Sequence, residues 1–255
     1  MKVDAVVLAG ALNDGKLAEA SPEKWEAVIP IHGKPMVNYV IEVLQALPRV
    51  ENLVVVGPAE IEKHLPPGTR LVECGKSLVE NVFLGVEALA GENKVLLVSS
   101  DIPFIHTEAM DDFLDRCSEL ERDIYYPLVS KESNEQVYPE TVRTYFKLKE
   151  GTFTGGNILL AAPQAIAGSR EIMTQVIFQR KKPWKIIGIL GCMFLIKLLM
   201  SRLSLSEIEK RAQEILGYSG ALMITPYPEI GTDVDKPADL ELAQKMISPN
   251  HSKEA

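Results

Sequence analysis

The chain has 255 residues, 46% of them hydrophobic and 24% charged, with a formal net charge of −8. That length suits one large domain or one domain with a subdomain, and the composition is that of an ordinary globular protein, which excludes wholesale disorder. The acidic balance excludes a general nucleic-acid binder, because holding a phosphate backbone needs a basic face.

The N-terminal "MKVDAVVLAG" predicts a buried strand over 3–8 rather than a signal peptide, since Asp4 interrupts the apolar run. Three scattered cysteines, Cys74, Cys117 and Cys192, lack the paired spacing of a disulfide framework or a zinc site, so a reducing cytoplasm is the expected compartment. After the strand, Gly10, Gly15 and Lys16 spell most of a P-loop, but Leu17 stands where a hydroxyl would hold magnesium. Pro22 also interrupts the sustained helix that a P-loop requires. The dinucleotide fingerprint fails as well, because the two glycines have no third between them. The plain reading is a strand-to-loop turn at Gly10.

Apolar periodicity predicts a helix over 36–47, a strand over 52–56, a short helical piece over 60–64 and a strand over 70–74. A helix over 78–89 and a continuous apolar strand over 94–99 follow. Continuous apolar strands separated by helices imply a parallel sheet covered on both faces, with ligands beyond the carboxyl ends of its strands. The second half predicts strands over 123–129 and 143–148 separated by the polar "SKESNEQVYPE", an antiparallel excursion. A strand over 158–161, helices to about 216, a strand over 221–224 and a closing helix from Lys236-Pro237, with Asp235 as its N-cap, complete the pattern. The stretch 184–200 is strongly apolar, yet Lys185 and Lys197 bracket only eleven uncharged residues. About 20 would be needed to span a bilayer, so a buried or interfacial helix is preferred to membrane contact. Arg180, Lys181 and Lys182 precede it as a basic patch available to an acceptor phosphate or an anionic lipid. The expected organisation is a single domain over 1–247 with a lid or insertion at about 123–220, and a polar tail over 248–255.

Four segments occur in order: "VLAG", "VIPIHGKPMVNYVIEVL", "LLVSSDIPFI" and "EIGTDVDKPADLELA". Together they resemble the MobA-like nucleotidyltransferases of the sugar-nucleotide pyrophosphorylase superfamily, over roughly residues 1–244. The resemblance implies an α/β fold with a doubly wound, mostly parallel, Rossmann-like sheet. It is of the three-layer GT-A type, with a small antiparallel and helical insertion. It also implies a nucleoside triphosphate and a small-molecule acceptor as partners, and Mg²⁺ or Mn²⁺ as cofactor. Leu8, Ala9 and Gly10 would contact the nucleotide, with Gly75 and Ser77 beside the base. Asp101 and Asp235 would hold the metal, with Asp233 as alternate ligand, and Asp101 would thereby be catalytic. Lys16 stands in for the family's phosphate-contacting arginine. Ala11 replaces a second glycine, and Glu26 occupies the position of an expected lysine, leaving Lys24 to compensate. Gly155, Gly156 and Asn157 fall where related enzymes hold the acceptor.

Each of these residues also has a plainer reading. Asp101 can cap the segment after its strand, Asp235 can be an N-cap, Ser77 can start a helix, Gly155-Gly156 can be a tight turn, and His32 a turn residue. A nucleotide-binding protein without turnover and a sugar-nucleotide-dependent glycosyltransferase remain alternatives to nucleotidyl transfer. The base, the acceptor and the oligomeric state, a homodimer among the options, are left open by the sequence.

Overall fold

The apolar runs of the first half need cover on both faces, and the fold supplies it. The computed structural model describes residues 1–89, 91–179 and 191–248. In chain order, β1 (Val3–Leu8) leads into a long loop that ends at a small hairpin, β2 (Pro30–Ile31) and β3 (Lys34–Pro35). His32 and Gly33 turn that hairpin with φ of 51° and 79°, the left-handed region, which is the turn role expected of His32. Then come α1 (Met36–Ala46), β4 (Val50–Gly57), a 3-10 turn (Ala59–His64), β5 (Arg70–Glu73), α2 (Leu78–Leu89), β6 (Lys94–Ser99) and α3 (Thr107–Ser118).

Period-two alternation along β1 decides which layer each residue meets. Val3, Ala5 and Val7 face α1 and α3 through Val40, Ile41, Leu44 and Phe113. Val6 faces the other way, onto Val79, Val82 and Phe83 of α2. Gly85 permits that second contact, since a Cβ there would lie 2.4 Å from Val6.

The second half adds β7 (Ile124–Ser130), α4 (Lys131–Val137), β8 (Phe146–Lys147), β9 (Thr152–Gly155), β10 (Ile158–Ala161), α5 (Pro163–Gly168) and α6 (Arg170–Gln179). It closes with α7 (Cys192–Leu199), α8 (Leu205–Leu216), β11 (Gly220–Thr225) and α9 (Pro237–Met246). Among the described residues nine strands form one sheet, in the order β5-β4-β1-β6-β10-β7-β9-β8, with β11 paired to β7. Its long pairings are parallel: β1 with β4 and β6, and β7 with β11. Strands β10, β9 and β8 supply the antiparallel part. The architecture is thus the doubly wound, mostly parallel α/β sheet expected from the sequence, and the stretch expected as a lid contributes β7, β9 and β10 to the main sheet.

Three local expectations need correction. The polar "SKESNEQV", expected only as a separator between two antiparallel strands, forms α4, which Ser130 caps by accepting the Ser133 N–H at 3.0 Å. Of the strand expected over 143–148 only Phe146–Lys147 forms, since the residues before it turn toward the 232–235 loop. The N-cap of α9 is Lys236, not Asp235; the buried carboxylate of Asp239 reaches back to accept the N–H groups of Asp235 and Lys236, each at 3.1 Å. Helix α7 presents Phe194 and Leu198 to a cluster with Leu128, Phe153 and Leu203, while Met193, Ile196 and Leu199 remain exposed. The basic patch Arg180, Lys181 and Lys182, and the apolar residues up to position 190, lie outside the described residues, as does most of the polar tail. No helix among the described residues is long and apolar enough to cross a membrane.

Candidate active site

The carboxyl ends of β1 and β6 lie side by side, with Leu8 in register with Ser99, so their following loops share one edge of the sheet. The loop after β1 braces itself. The Asn13 amide donates to the carbonyls of Ser21 at 3.0 Å and Glu23 at 2.8 Å, and Leu12 bridges to Trp25. Leu17, which spoils the P-loop pattern, is fully buried against Ile29, Ile31, Met36, Val234 and Leu240. It fastens the loop to α9, where a hydroxyl would find no ligand. Gly10 is required by contact: a Cβ there would fall 2.7 Å from the amide nitrogen of Asn81. Ala9 is turned into the core with its N–H donated to the Val56 carbonyl at 2.8 Å, and Lys16 is exposed on a 3-10 turn.

Asp101 follows β6 and caps no helix; α3 starts at Thr107 with His106 as its cap. Instead the Asp101 carbonyl accepts the Val234 N–H at 2.9 Å. That one backbone bond draws the loop before α9 across the strand end, and with Asp239 serving the helix, Asp233 and Asp235 are left to face Asp101. Carboxylate oxygens of all three lie within 4.8 Å of one another. One Asp101 oxygen, Oδ1, is buried without a hydrogen-bond partner. Such convergence of acidic groups disfavours charge on each of them. Burial, opposed by the Ser99 hydroxyl and reinforced by the charge of Asp235, pushes the Asp101 carboxyl up to about 6. Arg143 is the cation beside the cluster, ion-paired to the Asp233 carboxylate and donating from Nη2 to its carbonyl at 2.6 Å.

Glu26 joins this group. Its backbone N–H donates to the Ala11 carbonyl at 3.2 Å, tying it to the glycine turn. Burial and the charges of Asp101, Asp235 and Asp14 push its carboxyl up to about 7. Lys24 turns elsewhere. Its ammonium pairs with Glu60 at 2.8 Å and sits over the Trp25 ring, beyond the end of β4, so the compensation expected of it does not arise from this geometry.

Two cavities share Asn157 in their linings, and the smaller of them borders the cluster. The larger, about 550 Å³, is lined by Leu8, Gly10, Ala11, Gly75, Ser77 and the face of Tyr126 among others, which gathers most of the residues expected to contact a nucleotide. Gly156, expected on the acceptor side, lines this cavity too. Ser77 also acts as a helix start, its hydroxyl accepting the Glu80 N–H at 3.1 Å. The smaller cavity, about 310 Å³, is walled by Arg143, Thr154, Gly155, Asp233, Asp235 and Lys236. Gly155 leaves room for Tyr126, which lines the larger cavity: a Cβ on Gly155 would strike the Tyr126 hydroxyl at 2.2 Å. The Asn157 peptide stitches the two sides together, its N–H donating to Ile230 and its carbonyl accepting from Ser99.

Two further residues organise the site. Asn81 is buried, and its side-chain oxygen accepts the Gly75 N–H at 2.8 Å, locking the turn before α2. The signal was legible: an amide among Leu78, Val79, Val82 and Phe83, on the apolar face of a helix. Arg143 had none, because its partner lies 90 residues away in sequence.

A family model for the MobA-like NTP transferase domain matches residues 20–175. No curated protein matches the chain. A hypothetical transferase from Thermus thermophilus superposes with a TM-score of 0.85 at 38% identity, covering 94% of this chain and all of the other. More distant is the CMP:2-keto-3-deoxy-manno-octonic acid synthetase complexed with CTP, at TM-score 0.64 and 12% identity over 96% of this chain and 98% of that one. A 2-C-methyl-D-erythritol 4-phosphate cytidylyltransferase, also from Thermus thermophilus, gives 0.54 at 17% identity, with the same coverage. These two share the fold. With the sheet, the glycine turn and the acidic cluster already in place, the family match across more than half its length shows that this chain belongs to the MobA-like NTP transferase domain family.

Proposed function

We propose that the protein transfers a nucleoside monophosphate from a nucleoside triphosphate to a small-molecule acceptor, with release of pyrophosphate. An acceptor oxygen, on a phosphate or an alcohol, attacks the α-phosphorus. The bond from that phosphorus to the bridging oxygen breaks, and any proton on the acceptor leaves with the step. The observation that carries this reading is the meeting of Asp101, Asp233 and Asp235, two of which wall the smaller cavity, with Asn157 shared between it and the larger cavity that reaches the Gly10 turn.

The residues fit a divalent cation. Mg²⁺ and Mn²⁺ take oxygen ligands, and Asp101 Oδ1 is a buried carboxylate oxygen still lacking a partner. Asp101 and Asp235 would hold the ion, with Asp233 held ready by Arg143. Bound there, a divalent ion would supply charge neutralisation between the α-phosphate and the leaving pyrophosphate. The chain's own groups do the rest. The Gly10 loop and the Gly75–Ser77 turn orient the nucleotide, Asn157 joins the two substrates, and exposed Lys16 meets the phosphates. Catalysis of this kind is positioning and electrostatics, so no nucleophilic side chain is needed. CTP is the first triphosphate to try, because two of the structural neighbours are named for cytidylyl chemistry or carry CTP.

The specific feature favouring a second reading, nucleotide binding without turnover, is Glu26, a carboxylate in the position where the resemblance implies a lysine. The test separates the two. ATP, GTP, CTP and UTP are presented with and without Mg²⁺ to wild type and Asp101→Asn, reading both binding and pyrophosphate release against a panel of phosphorylated and unphosphorylated acceptors. Metal-dependent binding that the mutation abolishes, with pyrophosphate release, supports transfer. Binding with no release across the panel supports the second reading, and binding indifferent to both metal and mutation overturns the assigned site.

A further inference from the structure

The small cavity beside the acidic cluster carries a chemistry of its own. Arg143 lines it with a side chain only 8% exposed. Its guanidinium commits one nitrogen to the Asp233 carboxylate and another to the Asp233 carbonyl, and its Nε is buried with no hydrogen-bond partner. A buried charged donor left unmatched is costly in a folded protein and is explained when a ligand matches it. Lys236 brings a second cation to the same wall, its ammonium donating to the Val142 carbonyl at 3.1 Å with two hydrogens to spare. Thr144, Thr154 and Asn157 complete the lining with neutral polar groups.

The chain around the cavity also holds it open. Fully buried Asn134 donates to Thr141 and Tyr145, each at 3.0 Å, and meets the Thr232 hydroxyl at 3.4 Å. This latch fixes the 138–145 segment against the 232–235 loop, so Arg143 is placed by the fold and not by the ion pair alone. About 310 Å³ suits a molecule of a few carbons with one charged group.

From this we infer that the small cavity is an anion subsite: the acceptor carries a phosphate monoester or carboxylate group, read by Arg143 and Lys236, beside the hydroxyl or phosphate oxygen that reacts. The inference rests on the nucleotidyl-transfer reading for the word acceptor, but the anion preference of the cavity stands or falls separately. The Nε–H left unmatched by Asp233 offers an oxyanion a charge-assisted hydrogen bond, whereas a neutral polyol would leave both cations without a counter-charge once the carboxylates are occupied by a divalent ion.

The experiment compares three molecules with one carbon skeleton. Glycerol, glycerate and glycerol 3-phosphate are titrated calorimetrically into the Mg²⁺-loaded protein at constant ionic strength, and CTP is titrated separately. In wild type at least one of the two anions is expected to bind tenfold or more tightly than glycerol; which one does so distinguishes a phosphate from a carboxylate acceptor. Arg143→Met is expected to lose that preference by about tenfold or more, and Arg143→Lys to recover part of it. Lys236→Met, at a less buried position, carries the same expectation if Arg143→Met fails to fold. Anions binding no better than glycerol, or variants that keep the wild-type anion preference, overturn the inference. Wild type that prefers the anions yet binds no triphosphate leaves the subsite standing and removes the transfer reading.

Discussion

Replacing Asp101 by Asn removes a charge that the fold holds at a cost, and the size of that cost can be worked out. Its carboxyl rises from 3.8 to about 6, first through burial, then through Asp235, against the opposing Ser99 hydroxyl and Arg143. A folded-state value above the unfolded one means that the folded chain binds the proton more tightly. The associated stability is fully present below about pH 4 and is lost as pH rises through about 6. At full weight the difference corresponds to about 3 kcal/mol; partial exposure of the side chain and its coupling to Asp235 reduce this to roughly 1–2 kcal/mol. Glu26, raised to about 7 by burial and by Asp101, Asp235 and Asp14, contributes in the same direction over a slightly higher window. The metal-free protein should therefore lose stability between about pH 4 and pH 7, and Asp101→Asn should recover roughly 2–8 °C in Tm at pH 8. Added Mg²⁺ should reverse the order. Wild type gains about 2.7 kcal/mol when the ion is present at a hundredfold over its Kd, and the variant gains far less. Thermal unfolding in EDTA and in Mg²⁺ across pH 4 to 8 measures all of this. A wild-type curve flat with pH in EDTA, together with equal Mg²⁺ stabilisation of the variant, would refute the reasoning.

Three other outcomes follow from the same geometry. Leu17→Ala should destabilise the protein by about 2–4 kcal/mol in urea unfolding, since a fully buried anchor leaves a cavity between the loop and α9; a change under about 0.5 kcal/mol would mean the loop is not fastened there. Glu26→Lys should tighten triphosphate binding by about tenfold at low salt, with the gain fading as ionic strength rises, because one carboxylate facing the cluster becomes a cation; unchanged affinity would place Glu26 outside the phosphate field. Gly10→Ala should weaken nucleotide binding in a fluorescence titration while costing little stability if Asn81 can move aside; the added Cβ meets that amide at 2.7 Å, and retention of wild-type affinity would remove the turn from the binding surface.

Much of the fold is legible in local pattern. The strand over 94–99, the helix over 78–89 and the strand over 158–161 form with the boundaries their apolar periodicity predicts. Failures fall where a side chain overrides pattern. Ser130 starts α4 inside a stretch polar enough to pass for a loop. The run 143–148 has the alternation of a strand, yet Arg143 is diverted to Asp233 and leaves only two residues paired. At the site, motif order singled out Asp101 and Asp235, which the fold brings together with Asp233, and the P-loop near-match already excluded at Leu17 has its reason in the core, where Leu17 is buried.

The sequence by itself determined the layers and the order of the motifs, because burial period and glycine or proline placement act within a few residues of chain. It also determined that Glu26 would bring negative charge where the resemblance implies positive. Only the tertiary structure decided what those charges meet. Whether Asp235 serves a helix or a cation depends on Asp239 taking the cap, and whether Lys24 reaches the phosphates depends on Glu60 holding it elsewhere. Arg143 enters the site through its two contacts to Asp233, 90 residues away in sequence, on a segment that Asn134 holds in place. Charge interactions of this kind are set by distance and burial after folding, and neither quantity is written in the local pattern of residues.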